Sequence, residues 1–242
     1  MVADCRGIVA VGSALCLMIG QAVAQHDARS SEARNAPSVP DIWITGVNLV
    51  APPGLPVIGK WMLTCEGIPS HWLGEIYEGK SLREPINLIL IDAEAGSAED
   101  AKQRLIAAST AAGYPVRMGH SVGYQGYIGD RLHPQLPTGR DDAFSNEFFE
   151  LSNNHGRIFG PHRMGTVYVF IGAFSRERMD PFRWPEHQYG SFKRARDDFA
   201  QKLNVHSRFK HRGTVNLENA IVGDRHVTTG DHDGMAILLT HQ

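Results

Sequence analysis

Cysteine is scarce in this chain, with three in 242 residues. That excludes a disulfide-built scaffold. An excess of positive charge is also missing. Lys plus Arg is 24 against 26 Asp plus Glu, a net charge of -2. A generic nucleic-acid binder needs surplus cations to displace counterions, so no nucleic-acid partner is expected. The chain has no internal repeat and no long low-complexity tract. It carries neither a P-loop nor a dinucleotide fingerprint, because Gly123, Gly126 and Gly129 are spaced by threes rather than as G-x-G-x-x-G. No cofactor is therefore expected. What is present is a globular composition, 42% hydrophobic and 21% charged, which can bury a core.

The one long apolar run is at the start. Residues 8–24 read IVAVGSALCLMIGQAVA and end in the small residues Ala22-Val23-Ala24. This is the layout of a secretory signal peptide, with cleavage expected after Ala24 and a periplasmic or secreted mature chain. The alternative is an uncleaved anchor, but the run holds Ser13 and Gln21 and sits at the short limit for a bilayer span. Cys16 lacks the small residue before it that a lipid anchor requires. Cleavage would remove Cys5 and Cys16 and leave Cys65, expected as a buried small hydrophobe rather than a nucleophile. Residues 25–40 read as a flexible leader, and residues 41–242 as a single domain.

Strand candidates occur at 41–50 and 60–66, and residues 68–79 look loop-rich. Residues 86–91 (INLILI) form a short apolar run of the kind buried on both faces of a sheet. Ser97-Ala98-Glu99-Asp100 is a capping-box-like helix start. Ala101, Leu105, Ala108 and Ala112 keep helical spacing up to Gly113. Residues 114–118 (YPVRM) predict another strand. Residues 119–140 read as a long structured loop, and Asp142 as the cap of a short helix with Phe144, Phe148 and Leu151 on one face. Residues 156–159 and 166–174 suggest a hairpin turning at 161–165. A second helix spans 191–203 with Phe192, Ala195, Phe199 and Leu203 as its apolar stripe. Strands at 214–222 and 235–240 flank the turn 230–234. The order predicts an α+β fold, a mainly antiparallel sheet with two principal helices packed on it, with a ferredoxin-like variant as one arrangement of that order.

Gly119-His120-Ser121-Val122-Gly123 is a literal G-x-S-x-G. A nucleophile elbow needs a strand before the serine and a helix after it. The strand is expected, but Gly126, Gly129, Pro134 and Pro137 argue against the helix. A serine hydrolase using Ser121, with Asp224 and His226 as downstream partners, is thus the alternative reading, and an enzyme is not the first expectation. Asp198 and His232 fit the same chain order. His206 and His211 have zinc-like spacing without a cysteine pair, and the run Asp231-His232-Asp233-Gly234 lacks the spacing of a calcium loop, so no metal is assigned. The basic stretch 206–212 (HSRFKHR) reads as a solvated loop, with peripheral membrane association as its functional alternative.

Two further stretches carry a resemblance. Glu84-Pro85-Ile86-Asn87-Leu88-Ile89-Leu90, followed by a helix closing in Ala112-Gly113-Tyr114, resembles the opening of the LssY C-terminal domain family. Asn154-His155-Gly156-Arg157-Ile158-Phe159 is similar to that family's His-x-Arg-hydrophobic-aromatic strand, and residues 167–173 (VYVFIGA) to the strand after it. The likeness covers roughly residues 84–204. Asn153 and Asn154 stand where the family tends to have basic residues, and Gly139-Arg140-Asp141-Asp142-Ala143-Phe144 is a compressed form of its Gly-Arg-x-x-Asp-x-x-Phe pattern. The resemblance implies an envelope-associated domain and carries over no catalytic residue. The expected function is binding of a small ligand or an envelope partner, at a site drawn from His120, Tyr124, Arg140, Asp141, His155 and Arg157.

Overall fold

The computed structural model describes residues 48–137, 142–179 and 187–242. The expected signal peptide and leader, most of the strand expected at 41–50, and Arg140 and Asp141 lie outside the described residues. The elements in chain order are β1 (Leu49–Val50), β2 (Ile58–Gly59), β3 (His71–Tyr77), β4 (Lys80–Arg83), β5 (Leu88–Asp92) and α1 (Ala98–Ala111). Then come β6 (Val116–Arg117), β7 (Gln125–Ile128), β8 (Arg131–Leu136), β9 (Ala143–Ser145), β10 (Asn154–Met164) and β11 (Val167–Met179). The chain closes with β12 (His187–Ser191), α2 (Phe192–His206), β13 (Phe209–Asn216), β14 (Val227–Thr228) and β15 (Met235–His241).

The fold is α+β. A large curled sheet runs β1-β2-β7-β8-β10-β11-β5-β15-β13, with β12 on β11 and with β9 joining β6 to β10. β5 lies between β11, antiparallel, and β15, parallel. That central place explains its unbroken apolar run, because both faces are covered. Leu88 and Leu90 point to the helices, among Leu105, Phe170, Phe174, Phe199 and Leu203. Ile89 points the other way, with Ile58, Met62, Ile128, Phe159 and Ile171, where β2 and β7 curl over the sheet.

The helices form where the spacing predicts them, and each has a serine cap. Ser97 Oγ accepts from Asp100 N at 3.1 Å, and Gly113 leaves α1 at φ +78°. Ser191 Oγ accepts from Arg194 N at 2.8 Å. Phe199 of α2 stacks on Phe174 with ring centroids 4.1 Å apart. The Gly230–Gly234 turn serves α2 as well. Asp231 Oδ1 accepts from Phe192 N at 2.8 Å, at the helix N-terminus where negative charge is favoured. Asp233 takes the buried Arg196 guanidinium at 2.7 and 3.2 Å, and His232 Nε2 bonds Asn219 Oδ1 at 2.7 Å. Each member of that run thus has its own structural partner.

Several expectations need correction. The sheet is more extensive than two helices on a small sheet would require. Residues 119–140 are not one loop: β7 and β8 pair there as a hairpin. Residues 68–79 hold all of β3, which joins β4 and β14 in a small second sheet. No helix follows Asp142, because residues 143–145 are recruited as β9 against β10; Phe144 is buried while Phe148 and Leu151 stay exposed. The β10–β11 hairpin turns at Gly165, and Pro161 is absorbed inside β10 by a register shift between Phe159 and His162. Cys65 is half-buried rather than fully buried. Among the described residues no helix is long and apolar enough to cross a membrane.

Candidate metal centre

The site grows from one face of the β10–β11 pair. The register places Phe159 opposite Ile171, Arg157 opposite Ala173 and His155 opposite Ser175. Alternate residues share a face, so these rows run apolar to polar along one side of the sheet. The apolar end packs beneath β2 and β7. The polar end, continued by Glu177 of β11, floors a cavity of about 210 Å³. Its walls come from Trp72 of β3, Glu84, the bend at Gly119-His120-Ser121, Tyr124, Phe149 and His187 of β12. Gly119 makes that bend at φ +97°, and a Cβ there would stand 2.2 Å from the Phe149 ring.

At the floor, His120 stacks on His155 with centroids 4.6 Å apart and planes at 22°. Asn153 Oδ1 accepts from His155 Nδ1 at 3.0 Å, while Asn153 Nδ2 donates to Leu151 O at 2.9 Å and Glu177 Oε2 at 3.3 Å. The amide orientation therefore puts the His155 proton on Nδ1 and leaves Nε2 facing the cavity. Nε2 stands 3.5 Å from Glu177 Oε1 and 3.4 Å from Ser175 Oγ. His187 Nδ1 donates to Glu177 Oε2 at 2.8 Å. His120 Nε2 is buried without a hydrogen-bond partner. One donor atom each from His120, His155 and Glu177 falls within 4.8 Å of the others.

The electrostatics suit cation capture. Burial, reinforced by His155 and Arg157, brings His120 down to about 3. Burial also brings His155 down to about 4, against the pull of Glu177. Burial opposes the Glu177 charge, but His155 and the His187 hydrogen bond outweigh it and hold the carboxyl at about 2. His187 is raised by its bond to Glu177. At neutral pH the floor offers two unprotonated imidazoles and one carboxylate, the forms that bind metal. Both lower imidazole and carboxylate have fixed outer partners, Asn153 and His187, as metal ligands usually do.

Beside this trio lies Arg157. Its Nε and Nη2 donate to Ser121 O at 3.2 and 3.1 Å, Nη2 also reaches Ser121 Oγ at 3.1 Å, and the guanidinium lies 4.7 Å over the Tyr124 ring. Glu84, buried in the same cavity, accepts from Ser70 Oγ at 2.7 Å, and burial pushes its carboxyl up.

Of the residues singled out from sequence, His120, Tyr124, His155 and Arg157 come together in this cavity. Arg140 and Asp141 lie outside the described residues. Ser121 lines the cavity too, but its hydroxyl meets Tyr124 OH at 3.2 Å and Arg157, not an imidazole. The segment after it leads into β7 rather than a helix, so the elbow and its helix dipole are missing. Asp224 caps the backbone of His226 and Val227 at 2.7 and 2.9 Å beside β14 and does not line the cavity. Asp198 bonds Tyr114 and Asn154. His206 and His211 are both exposed, at the end of α2 and on β13, and the metal-capable cluster among the described residues is elsewhere. Sequence reasoning missed Glu177, His187 and Asn153. The signal for Glu177 was the alternation Ala173-Ser175-Glu177, a polar tail on a strand otherwise buried. Comparison with known proteins finds no matching family, no matching curated protein and no matching solved structure.

Proposed function

We propose that the chain is an exported ligand-binding protein whose cavity is built on a divalent transition-metal centre held by His120, His155 and Glu177. The observation that carries this reading is the convergence of three buried residues, His120, His155 and Glu177, with one donor atom of each within 4.8 Å of the others, beside a His120 Nε2 that is buried without a hydrogen-bond partner. A buried polar atom left unpaired costs about 1–3 kcal/mol, a cost that a ligand bound at His120 would offset. Two imidazoles and a carboxylate suit zinc or a neighbouring first-row metal, and three protein donors leave a position open to the cavity. A metal so placed supplies Lewis acidity to a bound oxygen. The protein's share is to hold the donors unprotonated, through Asn153 and burial, and to offer Arg157 beside them.

Export is read from the N-terminal segment and its Ala22-Val23-Ala24 end. The His155 and Arg157 of the proposed site are also the pair that resembles the LssY C-terminal domain family, which suits an envelope role. The frame is read as a ferredoxin-like variant: β5, α1, β10, β11, α2 and β13 follow that order, with β15 inserted between β5 and β13.

Calorimetric titration of chelator-treated protein with zinc tests the centre. One equivalent should bind, with His155→Ala and Glu177→Gln each losing it and the His206→Ala, His211→Ala double variant keeping it. Absence of stoichiometric binding in the unaltered chain would remove the reading.

A further inference from the structure

Arg157 is only 5% exposed. Among the described residues no carboxylate lies within ion-pair distance of it; the contacts it makes are the neutral Ser121 oxygens and the Tyr124 ring. Neutral acceptors satisfy its N–H donors but place no counter-charge in direct contact, and a buried charge without one is costly. The carboxyl that shares its cavity, Glu84, is already engaged by Ser70; burial raises it, and the charge of Arg157 opposes that rise without direct contact. The guanidinium is nonetheless held rigidly, stacked on one ring and pinned at Nε and Nη2. Such a plane is suited to an oxyanion, which it can meet with two parallel donors.

A second cavity of about 250 Å³ adjoins the first and shares Leu73, Ser121 and Tyr124 with it. It is lined in part by Ile68, Pro69 and Val122. Leu73, Ile68 and Val122 are exposed apolar residues at 45, 39 and 37%. Leu73 is held at φ +44°, on the irregular stretch of β3 between His71 and Ile76, at the junction of the two cavities. A non-glycine residue there is strained, and such strain clusters at ligand sites.

We propose that Arg157 anchors the oxyanion, carboxylate or phosphate ester, of an amphiphilic organic ligand whose apolar body lies in the adjoining cavity. This deepens the ligand-binding reading but stands on Arg157 and the second cavity, not on the metal donors. One ligand would then place its charged end beside His155, the neighbour of Arg157 on the same strand face.

The test is calorimetry of the purified chain with octyl phosphate, octanoate, ethyl phosphate and 1-octanol, in chelator and again with zinc. In chelator an octyl anion should bind at least about tenfold tighter than both ethyl phosphate and octanol, since charge-assisted hydrogen bonds and buried methylenes each contribute on that scale. Arg157→Gln should lose at least about tenfold for the anions and little for octanol. Val122→Asp, at the exposed rim, should weaken the octyl anions and spare ethyl phosphate; this variant and the ligand series decide the matter even if Arg157→Gln does not fold. Sedimentation with phosphatidic-acid vesicles but not with phosphatidylcholine vesicles would assign the anion to a bilayer lipid. Binding of octyl phosphate without sedimentation would assign it to a free amphiphile. Octanol binding as tightly as octyl phosphate, or no binding of any probe, would overturn the proposal. Failure of zinc alone to bind would leave the chelator series intact and count only against the metal centre.

Discussion

Asn153 and His155 sit two residues apart at the start of β10, and the amide oxygen of one accepts the Nδ1 proton of the other at 3.0 Å. Since Asn153 spends its NH₂ on Leu151 O and Glu177, its oxygen has no alternative but to face the imidazole. One side chain thereby fixes the tautomer of His155 and braces the carboxylate opposite.

Asn153→Ala should weaken zinc binding by about 10- to 100-fold, the usual effect of removing an outer partner of a metal ligand. Asn153→Asp keeps the acceptor for His155 but sets a carboxylate oxygen against Leu151 O and Glu177, so it should not restore full affinity. Titration calorimetry on both variants checks this, and equal affinities in Asn153→Ala and the unaltered chain would deny Asn153 a positioning role.

The metal-free fold should be sensitive to mild acid. Burial, with Arg131 and His162 nearby, brings His133 down to about 4; burial, with Arg196 nearby, brings His232 down to about 4. The unfolded imidazoles protonate near 6.5, before the folded ones do. Their contribution is present above 6.5 and is lost as pH falls from there toward 4, by roughly 2 kcal/mol each at pH 5. His187, raised by Glu177, works in the opposite sense and lends stability that fades as pH rises through its folded value. Denaturant unfolding at pH 7 and pH 5 measures the balance; equal stability at the two would contradict it.

Ser121 should not behave as a hydrolase nucleophile. Its hydroxyl contacts Tyr124 and Arg157 with no imidazole to take its proton. A fluorophosphonate probe is expected to leave the protein unlabelled, and labelling that disappears in Ser121→Ala would reverse this view.

Two glycines should respond oppositely to alanine. At Gly156 a Cβ would meet the Phe174 ring at 2.4 Å, and that ring is locked against Phe199. Gly156→Ala should cost about 1–3 kcal/mol or more through overpacking. Gly96 has open space around it, so Gly96→Ala should be nearly neutral. Thermal melts of the two variants supply the comparison.

The two helices were readable before any fold was known, because Ser97 and Ser191 are local caps and the apolar stripes repeat at helical spacing. The strand at INLILI was readable from its unbroken apolarity. The β7–β8 hairpin was not: its glycines and prolines suit loops, and only cross-strand pairing to β2 and β10 holds it extended. Phe144 and its neighbours likewise joined a strand because β10 offered an open edge.

Of the site, residues with conspicuous chemistry in a glycine-rich stretch, His120 and Tyr124, could be picked out by eye, as could His155 and Arg157 on their strand. Their convergence with Glu177 and His187 could not. Local spacing determines caps, stripes and burial on a strand, since those interactions span a few residues. Which donors share a cavity is decided by strand register between β10, β11 and β12 and by the bend at Gly119. Those pairings join residues far apart in the chain, and no local pattern encodes the distance between them.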